Sequence, residues 1–142
     1  MRVKIKRVSH SAILPQYAYP GDIGADLFSN ENLVIGPRSR DVIGTGIALE
    51  MAENFMGYAR VAPRSGLGER GIDVGAGIVD SSYRGEVCVI LINGTDLPYQ
   101  VSYGDKIAQL IFEVAARADF IEVDTLNETE RGSRGFGSSG TK

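Results

Sequence analysis

The sequence predicts an all-β barrel or sandwich, and three observations support this prediction. Roughly ten short apolar or alternating segments follow one another along the chain. The chain contains 18 glycines, which supply turns between these segments. No stretch shows a helical period of useful length. With 142 residues, the chain is long enough to form one domain with a real core.

The first predicted strands occupy the N-terminal half. Val3, Ile5 and Val8 alternate with lysine and arginine, a pattern typical of an edge strand. Residues 20–29 predict a Pro-Gly turn that enters a short strand. Strands are also predicted over residues 45–51 and 56–61. The segment 62–68 then breaks the pattern, and the few residues after it are the only plausible short helix.

The C-terminal half continues the strand pattern and then changes in composition. Residues 86–92 are apolar on both faces, which predicts a central strand. Strands over residues 98–101 and 106–114 are separated by a Gly-Asp turn. After Val123 the chain becomes polar and rich in glycine and serine, so it cannot bury enough surface to order itself. We therefore predict a β-barrel domain over residues 1–124 and a flexible arm over 125–142.

Composition and charge exclude several classes of protein. The net charge of −3 and the pI near 5.2 argue against a broad basic surface for nucleic acid. No apolar run approaches the roughly 18 residues of a membrane span, so we expect no membrane partner. The basic N-terminus has no apolar stretch after it and is not expected to be a signal peptide. The one cysteine, Cys88, predicts a reducing compartment such as the cytoplasm, and its surroundings predict a buried thiol.

The stretch from Gly77 to Glu86 carries the first candidate for chemistry. It places Asp80 at the end of an apolar run, between glycines that let a ligand approach the backbone. The simpler interpretation is a β-hairpin with a solvated polar tip. His10 is the only histidine and is assigned to the surface, so a zinc site and a Ser-His-Asp triad are both disfavoured. A carboxylate therefore remains as the candidate general base.

Two further stretches offer groups that can bind phosphate. Arg64-Ser65-Gly66 combines a guanidinium, a hydroxyl and a glycine that exposes backbone N–H groups. Arg38 sits in a similar Pro-Arg-Ser sequence without the glycine and is assigned to a surface turn. Gln109 is a polar residue in an apolar strand, where an unpaired amide would cost about 1–3 kcal/mol, so it must bond a neighbour or a ligand.

The arm contains glycines, serines and arginines around a single aromatic residue, Phe136. Backbone N–H groups and hydroxyls can surround phosphate oxygens, and a lone aromatic ring could stack on a nucleobase. The alternative is a disordered, solubilising end. Asp22 and Asp26 are also ambiguous, since aspartates four apart can face a site or can form turns. For Asp22 the turn role is favoured.

Taken in order, five stretches resemble the motifs of the trimeric deoxyuridine triphosphatases (dUTPases). They are residues 20–29, 64–67, 77–85, 104–110 and 131–140. The set covers nearly the whole chain at family-like spacing. Any one of these stretches would be a weak signal, whereas the ordered set is highly specific.

The resemblance implies a fold, an assembly and a reaction. The fold is a jelly-roll-like β-barrel, and the assembly is a homotrimer whose active sites combine residues of more than one subunit. The reaction is Mg²⁺-dependent hydrolysis of dUTP to dUMP and pyrophosphate, with water attacking the α-phosphate. Such an activity limits uracil in DNA and supplies dUMP for thymidylate synthesis. The cytoplasm is the expected location, with the nucleus an alternative if the source is eukaryotic.

The resemblance also implies roles for individual residues. Asp80 would deprotonate the attacking water, and Tyr83 would lie under the deoxyribose and leave no room for a 2′-hydroxyl. Asp26 would hold magnesium through water. The other implied catalytic residues are Arg131 and Gln109. The remaining implied substrate contacts are Arg64, Ser65, Gly66, Val74, Gly77, Val79, Phe136, Gly137, Ser138 and Ser139.

Two departures from the family pattern and two alternatives remain. Arg134 stands where the family usually has a small residue, and we expect it to point outward. Ser139 replaces a common threonine and keeps the hydroxyl. A dCTP deaminase of the same fold group is disfavoured, because the second motif of those enzymes has serine at the position of Gly66. A catalytically silent trimer is disfavoured because Asp80 and Tyr83 are both present.

Overall fold

The computed structural model describes residues 1–135, and the chain forms ten strands and one short helix within them. The elements are β1 (Lys4–Arg7), β2 (Ala25–Phe28), β3 (Leu33–Ile35), β4 (Ser39–Glu50), β5 (Gly57–Ala62), α1 (Ser65–Gly68), β6 (Ile72–Gly75), β7 (Ile78–Asp80), β8 (Glu86–Asn93), β9 (Tyr99–Val101) and β10 (Lys106–Val114). No helix within this part of the chain has the length and apolar composition to span a membrane.

The strands form two four-stranded sheets and one two-stranded sheet, all antiparallel. The first sheet has the order β1-β4-β8-β6, the second β2-β10-β5-β7, and β3 pairs with β9. The all-β prediction is therefore confirmed. β1 is an edge strand and β8 a central strand, as the sequence predicted.

The core lies between the two larger sheets and is built from alternate residues of their strands. In β8, Val87, Val89 and Leu91 are buried and belong to the same apolar cluster as Val61 of β5 and Leu110 of β10. Burial of such side chains stabilises the fold by about 1.5–3 kcal/mol each. The period-2 pattern of the sequence thus determines which face of each strand packs inward.

The predicted bounds agree closely for several elements and differ for the helix. β10 covers residues 106–114 as predicted. The helix α1 begins at Ser65, inside the segment that was expected to precede it. Among the described residues after Val114 there is no further strand or helix, and the division at residue 124 stays a prediction.

Two sequence interpretations are wrong. The segment that begins at Gly77 is not a β-hairpin, because β7 pairs with β5 in one sheet whereas β8 pairs with β4 and β6 in the other. The segment is a corner where the chain crosses between sheets. Cys88 is not buried but exposed, because its side chain lies on the outer face of β8.

A polar cluster fixes β5 against β10 on the outer face of the second sheet. The Arg60 guanidinium donates two hydrogen bonds to Oε1 of Glu113, at 2.9 and 2.6 Å, and the Tyr58 hydroxyl donates to Oε2 at 2.5 Å. These bonds, that from Arg60 first, lower the pKa of the Glu113 carboxyl below its ordinary value. The cluster ties the two strands that carry much of the site described below.

One buried polar side chain, that of Asn93, joins the segment that ends β3 to the segment between β8 and β9. It is fully buried, and its Nδ2 donates to the carbonyls of Ile35, Gly36 and Leu97 at 3.2, 3.0 and 2.8 Å. Its Oδ1 accepts from the backbone N and the hydroxyl of Thr95. All its hydrogen-bonding capacity is therefore used inside the protein.

We predict that Asn93→Ala lowers the free energy of unfolding by about 1–3 kcal/mol, because it leaves buried carbonyls and an N–H group without a partner. Asn32→Ala is the control, since Asn32 is exposed and accepts one hydrogen bond, from the backbone N of Tyr103. Urea denaturation at one fixed protein concentration measures both. Equal stability losses in the two variants would contradict the prediction.

Candidate active site

The first candidate cavity lies where β2, β5 and β10 meet the start of α1, and we call it the Asp26 cavity. Its volume is about 450 Å³. It is lined by Ala18, Tyr19, Asp22, Ile23, Gly24, Asp26, Arg64, Ser65, Gly66, Gln109 and Ile111. The structure therefore brings together the residues of three separate sequence motifs.

Asp26 is a buried carboxylate held between two cations. It accepts a hydrogen bond from Nη1 of Arg64, and Nζ of Lys106 lies 2.7 Å from its Oδ2. Its side chain is only 10% exposed, whereas those of Arg64 and Lys106 are 31% and 46% exposed. A buried carboxylate requires such partners, since an unpaired buried charge is strongly unfavourable.

Lys106 reaches Asp26 because of a β-bulge. β10 pairs with β2 through Gln109↔Asp26, but the register shifts between Lys106 and Ala108. An extra residue in one strand re-aims the side chains beyond it. The bulge therefore turns Lys106 to the side of the sheet that Asp26 and Gln109 share. Lys106 was not predicted as a site residue, because no pattern of residue types in the sequence indicates this bulge.

Gln109 forms the hydrogen bond that its sequence position required. Its Nε2 donates to the carbonyl of Pro63 at 2.9 Å, so a neighbour satisfies half of the amide. Gly24 packs directly against this side chain. A Cβ atom at position 24 would lie 2.8 Å from Cδ of Gln109, closer than real Cβ contacts come. Gly24 is a site residue that the sequence analysis missed, because it looked like one more turn glycine.

The start of α1 supplies the remaining polar groups of the Asp26 cavity. Arg64 immediately precedes α1, and Ser65 and Gly66 are exposed. Nothing lies within 4 Å of the point where a Cβ of Gly66 would be, so a ligand can approach the backbone there. Asp22 has the predicted turn role, since its Oδ2 accepts a hydrogen bond from the backbone N of Tyr19 at 2.9 Å.

The second candidate cavity contains Asp80 and Tyr83, and we call it the Asp80 cavity. Its volume is about 280 Å³, and it lies against the outer face of β8. It is lined by Val42, Val61, Gly75, Ala76, Gly77, Ile78, Val79, Asp80, Tyr83, Glu86, Val87, Cys88 and Ile90. Asp80 is exposed, which suits a group that must meet solvent water.

Gly77 shapes the wall of the Asp80 cavity. Its φ is +155°, and a Cβ there would lie 2.8 Å from the carbonyl oxygen of Val61. Only glycine combines this backbone conformation with so close an approach to β5. The backbone at this corner therefore lies directly against β5, and the carbonyl of Gly77 accepts a hydrogen bond from the backbone N of Val61 at 2.8 Å.

Cys88 also lines the Asp80 cavity, where its surroundings disfavour the thiolate. Partial desolvation raises the pKa of its thiol above the ordinary value, and the carboxylates of Glu86 and Glu31 raise it further. The thiol therefore stays protonated at neutral pH, and the thiolate is the reactive form. Of the two carboxylates that line this cavity, Asp80 is exposed, whereas Glu86 accepts a hydrogen bond from the backbone N of Gly46.

The two cavities share no lining residue, and one chain holds them apart. Along β5, Tyr58 pairs with Asp80 whereas Ala62 pairs with Gln109. These two positions are four residues apart, which corresponds to about 13 Å along a strand. A general base acts over about 3 Å, directly or through one water. Asp80 therefore cannot serve a group bound in the Asp26 cavity of the same chain.

Several predicted site residues lie elsewhere. The side chain of Val74 is partly buried and packs against the core, and its backbone N donates a hydrogen bond to Oδ1 of Asp73 at 2.8 Å. Arg131 is exposed and lines neither cavity; its Nε donates to the carbonyl of Arg134, and Nε of Arg134 donates to the carbonyl of Arg131. Arg134 is exposed too. The predictions for Phe136, Gly137, Ser138 and Ser139 lie outside the described residues.

The Asp26 cavity can bind an anion. Arg64 uses one of its five donors on Asp26, which leaves further N–H groups for a ligand. The cavity adds a hydroxyl and an open backbone. No group of three or more His, Cys, Asp or Glu side chains is arranged as a metal site within residues 1–135.

Comparison with known proteins gives one consistent family. A family model described as dUTPase matches residues 10–140. The chain is 45% identical over 138 residues to the deoxyuridine 5'-triphosphate nucleotidohydrolase of Arabidopsis thaliana, covering 96% of this chain and 82% of that protein. It is 43% identical over 141 residues to the enzyme of the same name from Clostridium tetani, covering 97% and 96%.

Solved structures agree with this result. A dUTPase of Staphylococcus bacteriophage 80alpha, solved with dUPNHPP, superposes with a TM-score of 0.89 at 25% sequence identity, covering 98% of each chain. The jelly-roll-type arrangement expected from the sequence is thereby confirmed.

We predict that Gly24→Ala displaces the Gln109 amide while the fold persists, because Oε1 and Cδ of Gln109, the atoms that the methyl group would overlap, are at the end of a flexible side chain, and the Gln109 Cβ at 3.2 Å needs to shift only slightly. Thermal unfolding should change by only a few degrees, corresponding to about 1 kcal/mol or less. A structure of the variant should show the Gln109–Pro63 hydrogen bond broken. An unmoved Gln109 side chain would contradict the prediction.

Proposed function

The chain belongs to the dUTPase family, and from this premise we propose how it hydrolyses dUTP to dUMP and pyrophosphate. It is a dUTP diphosphatase. The proposal concerns the residues that act, the metal they use and the assembly they need.

The separation of the two cavities carries the proposal. The Asp26 cavity holds the cationic and hydroxyl groups that suit a triphosphate, and the Asp80 cavity holds the base and the aromatic ring that suit a nucleoside. One dUTP molecule needs both sets at its α-phosphate. Since one chain keeps them apart, we propose that the Asp26 cavity of one subunit faces the Asp80 cavity of another.

In the Asp26 cavity the chain binds and orients the triphosphate. The free N–H groups of Arg64 suit bidentate contacts with phosphate oxygens. Ser65 donates a hydroxyl and Gly66 a backbone N–H. Gln109 contributes its side-chain amide, for which Gly24 leaves space. Asp26 fixes the Arg64 guanidinium from behind, so the phosphate contacts are organised before substrate binds.

In the Asp80 cavity the chain activates water. Asp80 is an exposed carboxylate, a group that can accept a proton from water as a general base must. Asp80 takes a proton from water as that water attacks the α-phosphorus, and the bond to the bridging oxygen of the β-phosphate breaks. The pyrophosphate leaves with the electron pair of that bond. The phosphate ligands of the other subunit stabilise the charge that develops.

The corner between the sheets recognises the nucleoside. We propose that backbone groups of Val74, Gly77 and Val79 bond the uracil edge, and that the Tyr83 ring lies under the deoxyribose. Cytosine would present a donor where uracil presents an acceptor. A site that requires a specific hydrogen bond can discriminate by about 10⁴ or more. The core-facing Val74 side chain fits a purely backbone role.

The donor set of the Asp26 cavity fits Mg²⁺ as the metal of the reaction. Magnesium usually keeps several waters and binds through one or two carboxylates together with substrate phosphates. Asp26 uses two of its lone pairs on Arg64 and Lys106, which leaves others free to accept from a metal-bound water. When bound, the ion would neutralise phosphate charge and hold the triphosphate in one conformation.

We propose that the C-terminal arm completes the site. Arg131 would reach the phosphates, and Phe136 would cover the uracil. Gly137, Ser138 and Ser139 would donate hydrogen bonds to the terminal phosphate. The single cysteine of the chain fits a reducing compartment, and we propose the cytoplasm as its location.

A homotrimer is the assembly we propose. Apolar side chains that line the Asp80 cavity are exposed in one chain, including Val42 of β4 at 57% and Ile78 of β7 at 67% exposure. Further along the chain, Phe120 and Leu126 are 98% and 86% exposed. Large apolar side chains at such exposure mark surfaces that bind protein. Copies of this chain would cover them and bring the two cavities together.

We predict that Asp80→Ala lowers kcat for dUTP by about 10²–10⁴ while dUTP still binds, because only the base is lost. Pyrophosphate release with Mg²⁺ measures the effect. Asp96→Ala is the control, since Asp96 forms an exposed ion pair with Arg38 that contributes little. Near-normal turnover in the Asp80 variant would refute the base assignment, and ammonia release from dCTP would indicate a deaminase.

A mixing experiment tests the shared site. Asp80→Ala and Arg64→Ala are each expected to be inactive. Unfolded and refolded together in equal amounts, they should regain about a quarter of wild-type activity, because random assembly joins one intact Asp80 to one intact Arg64 at about one site in four.

The matched control is Asp80→Ala refolded with Asp80→Asn, which should recover nothing. If the first mixture also stays inactive although native mass spectrometry shows trimers that contain both variants, Asp80 and Arg64 act within one chain and the shared-site proposal is wrong.

A further inference from the structure

The Tyr83 ring has a defined position in the corner that follows β7. The ring is 48% exposed and lines the Asp80 cavity. Its hydroxyl donates a hydrogen bond to the carbonyl oxygen of Glu86 at 3.1 Å. The side chain thus folds back over its own chain, with the hydroxyl tethered and one part of the ring open to the cavity.

The ring can occupy this position only because residue 85 has no side chain. A Cβ atom on Gly85 would lie 2.5 Å from Cζ and 3.0 Å from Cε2 of Tyr83. Real Cβ atoms do not approach other atoms this closely. Gly85 is not among the glycines with positive φ, so its backbone is available to ordinary residues. Space for the Tyr83 ring, and not the turn itself, requires glycine here.

The acceptor of the Tyr83 tether is itself fixed. The Glu86 side chain accepts a hydrogen bond from the backbone N of Gly46 at 2.7 Å, and Glu86 pairs with Ala48 in the ladder between β8 and β4. The carbonyl that holds Tyr83 therefore belongs to a residue anchored to β4 by both backbone and side chain. The hydrogen bond to Glu86 thus holds the ring at its hydroxyl, and the absence of a side chain on Gly85 leaves the space that the ring occupies.

We propose that Gly85 is a specificity-determining residue, which sets the dUTP over UTP preference by positioning the Tyr83 ring under the sugar. The inference rests on the sugar-sieve role given to Tyr83 under the proposed function. A side chain at position 85 would displace the Tyr83 ring from this position. The fold would stay intact, because the atoms that the new side chain meets are at the far end of the exposed Tyr83 side chain.

The test is Gly85→Ala, assayed with dUTP and with UTP for kcat and KM. We expect the ratio of kcat/KM for dUTP over UTP to fall by about tenfold or more. Gly36→Ala is the matched control, since the same added methyl meets nothing closer than 3.9 Å, and its ratio should be unchanged. Thermal unfolding of both variants verifies that they fold.

Tyr83→Ala separates this inference from the function it rests on. If Tyr83→Ala lowers the ratio but folded Gly85→Ala does not, Gly85 does not position the ring and the inference is refuted. If Tyr83→Ala leaves the ratio unchanged, the sugar-sieve role itself fails, and the inference with it, although dUTP hydrolysis can still stand.

Tyr83→Phe keeps the inference testable if Gly85→Ala does not fold. It removes the hydrogen bond to Glu86 and keeps the ring, so the ratio should fall by about fivefold, the equivalent of one hydrogen bond of about 1 kcal/mol. An unchanged ratio in Tyr83→Phe would show that the tether does not position the ring.

Discussion

The register between β2, β10 and β5 is the constraint on which the Asp26 cavity depends. It places Asp26 and Gln109 side by side and sets Ala62 next to them, so that Arg64 leaves the end of β5 within reach of the carboxylate. A slip of one residue would turn every side chain of a strand to the other face. The core prevents such a slip, because Leu110 and Val61 are buried in the same ladder.

The bulge in β10 is the one departure from this regular pairing, and it supplies a second cation. With one cation, Asp26 would balance Arg64, and the pair would add no net charge. With Lys106 the group carries a net positive charge, which suits a polyanionic substrate. A local irregularity of the sheet thus sets the electrostatics of the site, without a broad basic surface and within a chain whose net charge is −3.

Much of the fold follows from the sequence, because alternation and turn residues identify strands locally. β10 was predicted at its observed bounds, since a continuous apolar run follows a Gly-Asp turn. The pairing partner of each strand was harder to predict. The segment after Gly77 resembled a hairpin, yet β7 and β8 belong to different sheets, and the choice of partner depends on contacts distant in sequence. Cys88 was predicted buried because an apolar central strand does not reveal which of its faces one chain covers.

The candidate site also contains some residues that the sequence identifies and others that it does not. The polar side chains that stand out in sequence, such as Arg64 and Asp80, were identified from their neighbours and from the resemblance of whole motifs. Gly24 was not identified and Gly85 was predicted only as a glycine that bounds a turn, because both residues leave space for the neighbouring side chains of Gln109 and Tyr83. An absent side chain has no chemical signature of its own. Its importance becomes visible only when the neighbouring side chain has been placed.

Under the proposed assembly, the exposed apolar side chains beside the Asp80 cavity connect stability with activity. An isolated chain would leave Val42 and Ile78 in water and would also hold its base about 13 Å along β5 from its phosphate ligands. Association would remove both defects at once, because the same contacts that bury apolar surface would join the two cavities. Dilution should then reduce stability and turnover together, since each depends on the concentration of subunits. The chain would thus gain its activity from the same contacts that stabilise the oligomer.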